Sequence, residues 1–157
     1  MTSAELRALI QKTLKPLQLW SPGAEELLMA TAAQESHLGV FRRQLNGGPA
    51  LGIFQMEPAT YNDLWANFLK FHKNLETDLC ALATTQPPRP VEMVTNDAFA
   101  ILAARVQYLR SPDPLPEATD LEGLWAEYKR RWNTPEGAAT HDQFVANYRK
   151  YVGGDAK

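Results

Sequence analysis

The chain holds a single cysteine, Cys80, so no internal disulfide can form and packing and hydrogen bonds must hold the fold. Cys80 lies in the helical-looking run FHKNLETDLCALA, where a small buried apolar residue is expected before a reactive thiol. Histidine is scarce as well. His37, His72 and His141 stand far apart with no H-x-x-x-H or Cys-His ligand spacing, which gives a zinc site no support. No metal and no other cofactor is expected. Apolar runs of about 18 residues are missing, so no integral membrane segment is expected. The opening MTSAELRALIQKTL has no charged-then-apolar signal pattern. On that reading the protein is made in the cytoplasm, and a substrate beyond the membrane would need a separate delivery route. A net charge of -2 and a pI near 5.9 provide no basic excess. A general nucleic-acid binder is therefore disfavoured, although a local basic patch is not excluded. There is no internal repeat and no low-complexity tract.

What is present is a hydrophobic content of 45% over 157 residues, enough for one compact domain with a core. Residues 1–152 read as that domain and 153–157 as a flexible tail. The fold class expected is mainly α, six to seven short helices around one core, with a short irregular loop or hairpin around residues 40–54, where Asn46-Gly47-Gly48 can turn. Capping boxes are predicted at Thr2/Glu5, Thr119/Glu122 and Thr140/Gln143, and an N-cap at Ser21 followed by Pro22, with Trp20 as a hydrophobic staple. Helical stripes run through Leu6, Leu9, Ile10 and Leu14, through Tyr61, Leu64, Trp65 and Phe68, and through Phe99, Leu102, Val106 and Leu109. Two more run through Leu124, Trp125, Tyr128 and Trp132, and through Phe144, Val145, Tyr148 and Val152. The second stripe belongs to a helix over 58–69, and a further helix is expected over 71–83. The prolines of TTQPPRPVEM and SPDPLPEATD mark connectors, the first predicted to be free of helix.

The helix read from SPGAEELLMATAAQES carries the residue of greatest chemical interest. Leu27, Thr31 and Glu35 share its apolar face at four-residue spacing, one turn beyond two leucines and beside Ala32 and Ala33. Burial of a carboxyl there raises its pKa and favours the protonated form, which a general acid requires. Arg42 and Arg43, in the loop that follows, pull the other way, and spacing alone leaves open a frayed helix end with Glu35 in water. Asp63, Asp97 and Glu57 are the acids that could partner it.

Glu35-Ser36 at a helix end, then a loop, then Gly52-Ile53-Phe54-Gln55-Met56-Glu57-Pro58-Ala59-Thr60, resembles the soluble lytic transglycosylases and goose-type lysozymes of the lysozyme-like superfamily. Their hallmark is Glu-Ser followed by a turn of the form G-L-M-Q-x-x-P-x-T. A third segment, Ile101 to Leu109, is similar to the family's N-L-x-x-G-x-x-Y-L at Leu102, Tyr108 and Leu109, with Ile101 and Arg105 in place of the asparagine and glycine. A fourth, Trp132-Asn133-Thr134-Pro135-Glu136-Gly137, resembles a variant of the family's Y-N-A-G segment, with Trp132 standing where the tyrosine usually does.

The resemblance implies a lysozyme-like domain that cleaves the β-1,4 bond between N-acetylmuramic acid and N-acetylglucosamine in peptidoglycan. Glu35 would be the catalytic residue. Ser36, Phe54, Gln55, Met56, Tyr61, Tyr108, Trp132 and Asn133 would bind the substrate, and Arg42 and Arg43 could meet anionic groups of it. A single acid implies a lytic transglycosylase that leaves 1,6-anhydro ends. The alternatives are a muramidase that uses water and a non-catalytic peptidoglycan-binding or structural module. The partner implied is the glycan strand. A wall-degrading chain without a secretion signal suggests either a phage-encoded protein, delivered in the virion or through a holin, or a degraded prophage gene in a bacterium.

Overall fold

The computed structural model describes residues 1–153, so the expected tail lies, past Gly153, outside the described residues. Seven α-helices follow one another: α1 (Ser3–Leu14), α2 (Pro22–Ser36), α3 (Pro58–Asn67), α4 (Lys73–Leu82), α5 (Asp97–Leu109), α6 (Leu121–Tyr128) and α7 (His141–Tyr151). None of them is long and apolar enough to cross a membrane.

α2 is the axis of the molecule. Ser21 caps it by accepting from Ala24 N–H at 3.1 Å, and Pro22 occupies the first turn, where its missing N–H costs nothing. Every residue from Gly23 to Ala33 is buried, because α1, α5, α6 and α7 all pack against the helix. The sequence predicts an apolar face through Leu27, Thr31 and Glu35. Burial extends to the polar side because Arg7 of α1 reaches across to Glu25 at 2.8 Å and to Glu26 at 2.7 Å. Trp20 Nε1 donates to Glu25 and Tyr148 Oη to Glu26, each at 2.5 Å. Two buried carboxylates thus have their charge and lone pairs met. Trp20 acts through this hydrogen bond as well as by packing on the core.

Local signals were obeyed where the partners lie within one turn. The capping boxes at Thr2/Glu5 and Thr140/Gln143 form in both directions. At α6 the cap is Asp120, which accepts from Gly123 N–H at 2.9 Å, in place of Thr119 one residue earlier. The helix predicted over 58–69 stops at Asn67, and a 3-10 turn over Leu69–Phe71 separates it from α4. Pro90–Val94 forms a 3-10 helix inside the connector predicted to be free of helix, since Pro90 fits a first helical turn. Cys80 is only half-buried. Arg105, where the compared motif has glycine, donates its Nε to Leu19 C=O at 2.9 Å and so ties α5 to the connector before α2.

The loop over 40–54 contains no regular strand, only isolated bridges between Arg43 and Leu51 and between Leu51 and Met56. Leu51 and Met56 exchange backbone hydrogen bonds at 3.0 Å each and close a tight turn over Gly52 to Gln55. Gly52 sits there at φ +75°, and a Cβ added to it would lie 2.4 Å from the Met93 carbonyl oxygen. Both the left-handed backbone and the close approach call for glycine. Gly52→Ala is expected to destabilise the fold by about 2 kcal/mol, lowering the melting temperature by about 4–8 °C. Thermal unfolding followed by circular dichroism checks this, and a transition within a degree of the parent would count against it.

Candidate functional site

The last turn of α2 brings Glu35 to the edge of the core. His37 and Leu38 take left-handed φ of 53° and 59°, and Leu38 N–H returns to Ala32 C=O at 3.1 Å, which ends the helix abruptly. Ser36, fully buried, donates from Oγ to Ile53 C=O at 2.5 Å and accepts from Gly39 N–H at 2.8 Å. The hydroxyl expected to contact substrate instead fastens the end of α2 to the Gly52–Gln55 turn. That bond sets Glu35 beside Gln55.

Glu35 is neither frayed into water nor held by a cation. Burial is the dominant influence on its carboxyl and pushes the pKa up from 4.5 to about 7. The opposing influence is one hydrogen bond, in which Tyr128 Oη donates to Glu35 Oε1 at 2.6 Å. Arg42, which could have lowered the pKa, is turned away and forms a two-pronged ion pair with Asp97. Burial, together with the neighbouring Glu35 carboxyl, keeps the Tyr128 phenol far above its usual range, so it acts as a donor.

Two cavities open on the acid. One, of about 310 Å³, is lined by Glu35, Gln55, Met56, Glu57, Thr60, Gln107, Trp132, Asn133 and Thr134. The other, of about 300 Å³, adds Phe41, Gln44, Leu45 and Ala50. Glu35, Gln55 and Glu57 line both, so the two volumes are limbs of one groove that meet at the carboxyl. Each is in the size range of a small-ligand site. Gln55 holds a left-handed φ of 51°, and its Nε2 donates to Gly52 C=O at 2.9 Å, fixing the amide at the junction.

Gln55, Met56, Trp132 and Asn133 therefore line the groove as the sequence predicts. Phe54, Tyr61 and Tyr108 do not. Phe54 is buried and packs its ring edge-on to Trp132 at 6.4 Å. Tyr108 is buried, bonded to Thr31 Oγ1 at 2.8 Å, and stacked beneath Trp132 at 5.4 Å. Both support the indole from behind. Tyr61 belongs to the core, packed on Trp65 and Phe99, and burial pushes its pKa up to about 12. A tyrosine at helical core spacing follows the hydrophobic gradient when its ring has apolar neighbours on the inner side.

The partner acids separate in the same way. Asp63 is ion-paired with Arg110 at 2.8 Å, which holds its carboxyl low, and Asp97 is taken by Arg42. Glu57 alone of the three lines the groove. Arg43 is exposed and lines neither limb. His37 stacks on Tyr151 at 4.7 Å and also lies outside both limbs.

Tyr128 is the residue sequence reasoning missed. The comparison of motifs placed the aromatic at Trp132, but the hydroxyl reaching Glu35 comes from one turn earlier. After Tyr128 the helix widens into a π turn over Lys129–Asn133, and Trp132 swings onto the groove wall. Lys129 Nζ fixes that segment through Asn133 Oδ1 at 2.7 Å, Gly137 C=O at 2.7 Å and Ala139 C=O at 3.1 Å. The available signal for Tyr128 was its place on the buried stripe after Leu124, where a phenol demands a polar partner.

Among the described residues no group of histidine, cysteine and acidic side chains is arranged to hold a metal ion. The arrangement offers a proton donor poised near neutrality, a neutral amide beside it and an aromatic wall. Comparison with protein-family models, with curated proteins and with solved structures finds no match for this chain.

Proposed function

We propose that the protein cleaves the β-1,4 glycosidic bond between N-acetylmuramic acid and N-acetylglucosamine in peptidoglycan, acting as a lytic transglycosylase through Glu35. The observation that carries this reading is a carboxyl with a pKa near 7 at the meeting point of two groove limbs. At neutral pH a large share of that group is the acid, so it can give its proton to the leaving oxygen and then act as base. As the bond breaks, Glu35 becomes a carboxylate and takes the proton of the muramyl C6 hydroxyl, whose oxygen closes on C1. The products are a free 4-hydroxyl and a 1,6-anhydro end, and no water is used. Trp132 offers a broad ring to a sugar face, and Gln55 and Asn133 offer hydrogen bonds. The partner on this reading is the glycan strand of the cell wall. Delivery to it in a virion or through a holin, from a phage gene, belongs to the same proposal.

Purified protein incubated with peptidoglycan sacculi, followed by mass spectrometry of the fragments, tests it. Anhydro ends are expected, and intact sacculi would sink the reading. A hydrolytic muramidase acting on the same bond is the second reading, favoured by the presence of Glu57 in the groove.

Tyr128→Phe should discriminate between a placing and an incidental role for the phenol. Its hydrogen bond favours the Glu35 carboxylate, so its loss raises the acid's pKa further. Because activity needs the acid form, the alkaline limb of the pH profile, expected near pH 7, is expected to move upward. The maximal rate should fall about tenfold as the carboxyl loses its fixed orientation. A limb that stays put or moves down would remove Tyr128 from the site's chemistry.

A further inference from the structure

Glu57 stands where the groove's two limbs meet, and among the described residues no carboxylate besides it and Glu35 lines either limb. It precedes α3 with an extended backbone, and its side chain does not cap that helix. It is exposed. The backbone beneath it is held firmly, since Met56 is bonded twice to Leu51 at 3.0 Å and Glu57 C=O accepts from Tyr61 N–H at 3.0 Å. The other acids near the loop are committed elsewhere. Asp63 and Asp97 are paired with arginines, and buried Glu92 accepts from Thr84 N–H and from Asn96 Nδ2. A solvent-facing carboxyl on a firmly held backbone thus shares the groove with a largely desolvated carboxyl whose pKa is raised, which is the division of labour of glycoside hydrolases that employ two acids.

Resting on the glycosidase reading of Glu35, we propose that Glu57 is a second catalytic carboxylate that serves as base for a water molecule, so that one groove releases hydrolysed ends alongside anhydro ends. The Glu57 carboxylate takes a proton from water as the water oxygen bonds to C1. The bond from C1 to the leaving oxygen breaks, its electron pair stays on that oxygen, and the Glu35 proton neutralises it. One water is consumed and nothing is oxidised or reduced. Glu57 is left as the acid and Glu35 as the carboxylate, and transfer of a proton through solvent restores both. Water held by Glu57 and the muramyl C6 hydroxyl therefore compete for the same carbon, and the side chain at position 57 sets the ratio.

The test is digestion of peptidoglycan sacculi by the parent, Glu57→Gln and Glu35→Gln proteins, with fragments counted by mass spectrometry. Reducing ends are heavier than anhydro ends by one water. The parent is expected to give both, and Glu57→Gln to lower the ratio of reducing to anhydro ends by about tenfold or more. Because the ratio is internal to each digest, a change in total activity does not disturb it. An unchanged ratio in Glu57→Gln, or a parent that yields only anhydro ends, overturns the role of Glu57 and leaves that of Glu35 standing. A parent that cleaves nothing, or a Glu35→Gln protein that cleaves at the parental rate, overturns the glycosidase reading and the proposal with it.

Discussion

Glu35→Gln is expected to slow glycan cleavage about a thousandfold, about 4 kcal/mol of transition-state stabilisation, while leaving the fold intact. The substitution keeps shape and, on the glycosidase reading proposed above, removes the proton that the leaving oxygen needs. Glutamine can still accept from Tyr128 Oη, so the 2.6 Å contact between α2 and α6 survives, and no charge is added to a site already short of water. On that reading the loss should appear in the maximal rate more than in substrate affinity, because a general acid delivers its proton only as the bond breaks. Measurement of soluble fragments released from sacculi, beside pull-down on the same sacculi, separates the two. A binding or structural module would show the opposite pattern: retained function in Glu35→Gln with no cleavage by the parent. Cleavage by Glu35→Gln at anything close to the parental rate would falsify the assignment of the acid.

The placing of Glu35 was legible in the sequence because its determinants are local: a capped helix, a four-residue spacing and a flanking run of small and apolar residues. Burial alone was a direction, and its contest with Arg42 needed the structure. Asp97, 55 residues away along the chain, takes that arginine, and no local pattern announces it. Tyr128 illustrates the same limit from another side. Helical periodicity put it on the buried face, yet the winding changes from α to π after it, where Lys129 bonds carbonyl groups eight and ten residues ahead. That switch decides which aromatic faces the acid and which faces the groove. Ser36, Tyr61 and Tyr108 were misplaced for a shared reason. Each can serve a ligand or the fold, and the choice rests on distant neighbours, Ile53 for Ser36, Phe99 for Tyr61 and Thr31 for Tyr108. The second limb of the groove, with Phe41, Gln44 and Leu45, comes from a loop whose only helical piece is the short 3-10 turn Leu45–Gly47, so side-chain direction has no sustained period to follow.

The same carboxyl should leave a mark on stability that owes nothing to substrate. In the unfolded chain Glu35 titrates near 4.5, and in the fold near 7. Between those values the folded state holds the proton that the unfolded state has released, so folding stability declines as pH rises through the interval. Below about pH 4 both states are protonated and the contribution is fully present. Above about pH 8 both are ionised and it is lost, at a cost of about 3 kcal/mol for holding the charge half out of water. Glu35→Gln cannot ionise and escapes that cost. The difference in unfolding free energy between variant and parent is therefore expected to be flat in acid, to grow in the variant's favour from about pH 4.5 to about 7, and then to level off. Urea unfolding of both proteins across the range measures it directly. A difference that stays constant with pH would mean that the carboxyl is solvated as freely in the fold as in the unfolded chain. The raised pKa on which the acid's proposed chemistry depends would then be gone.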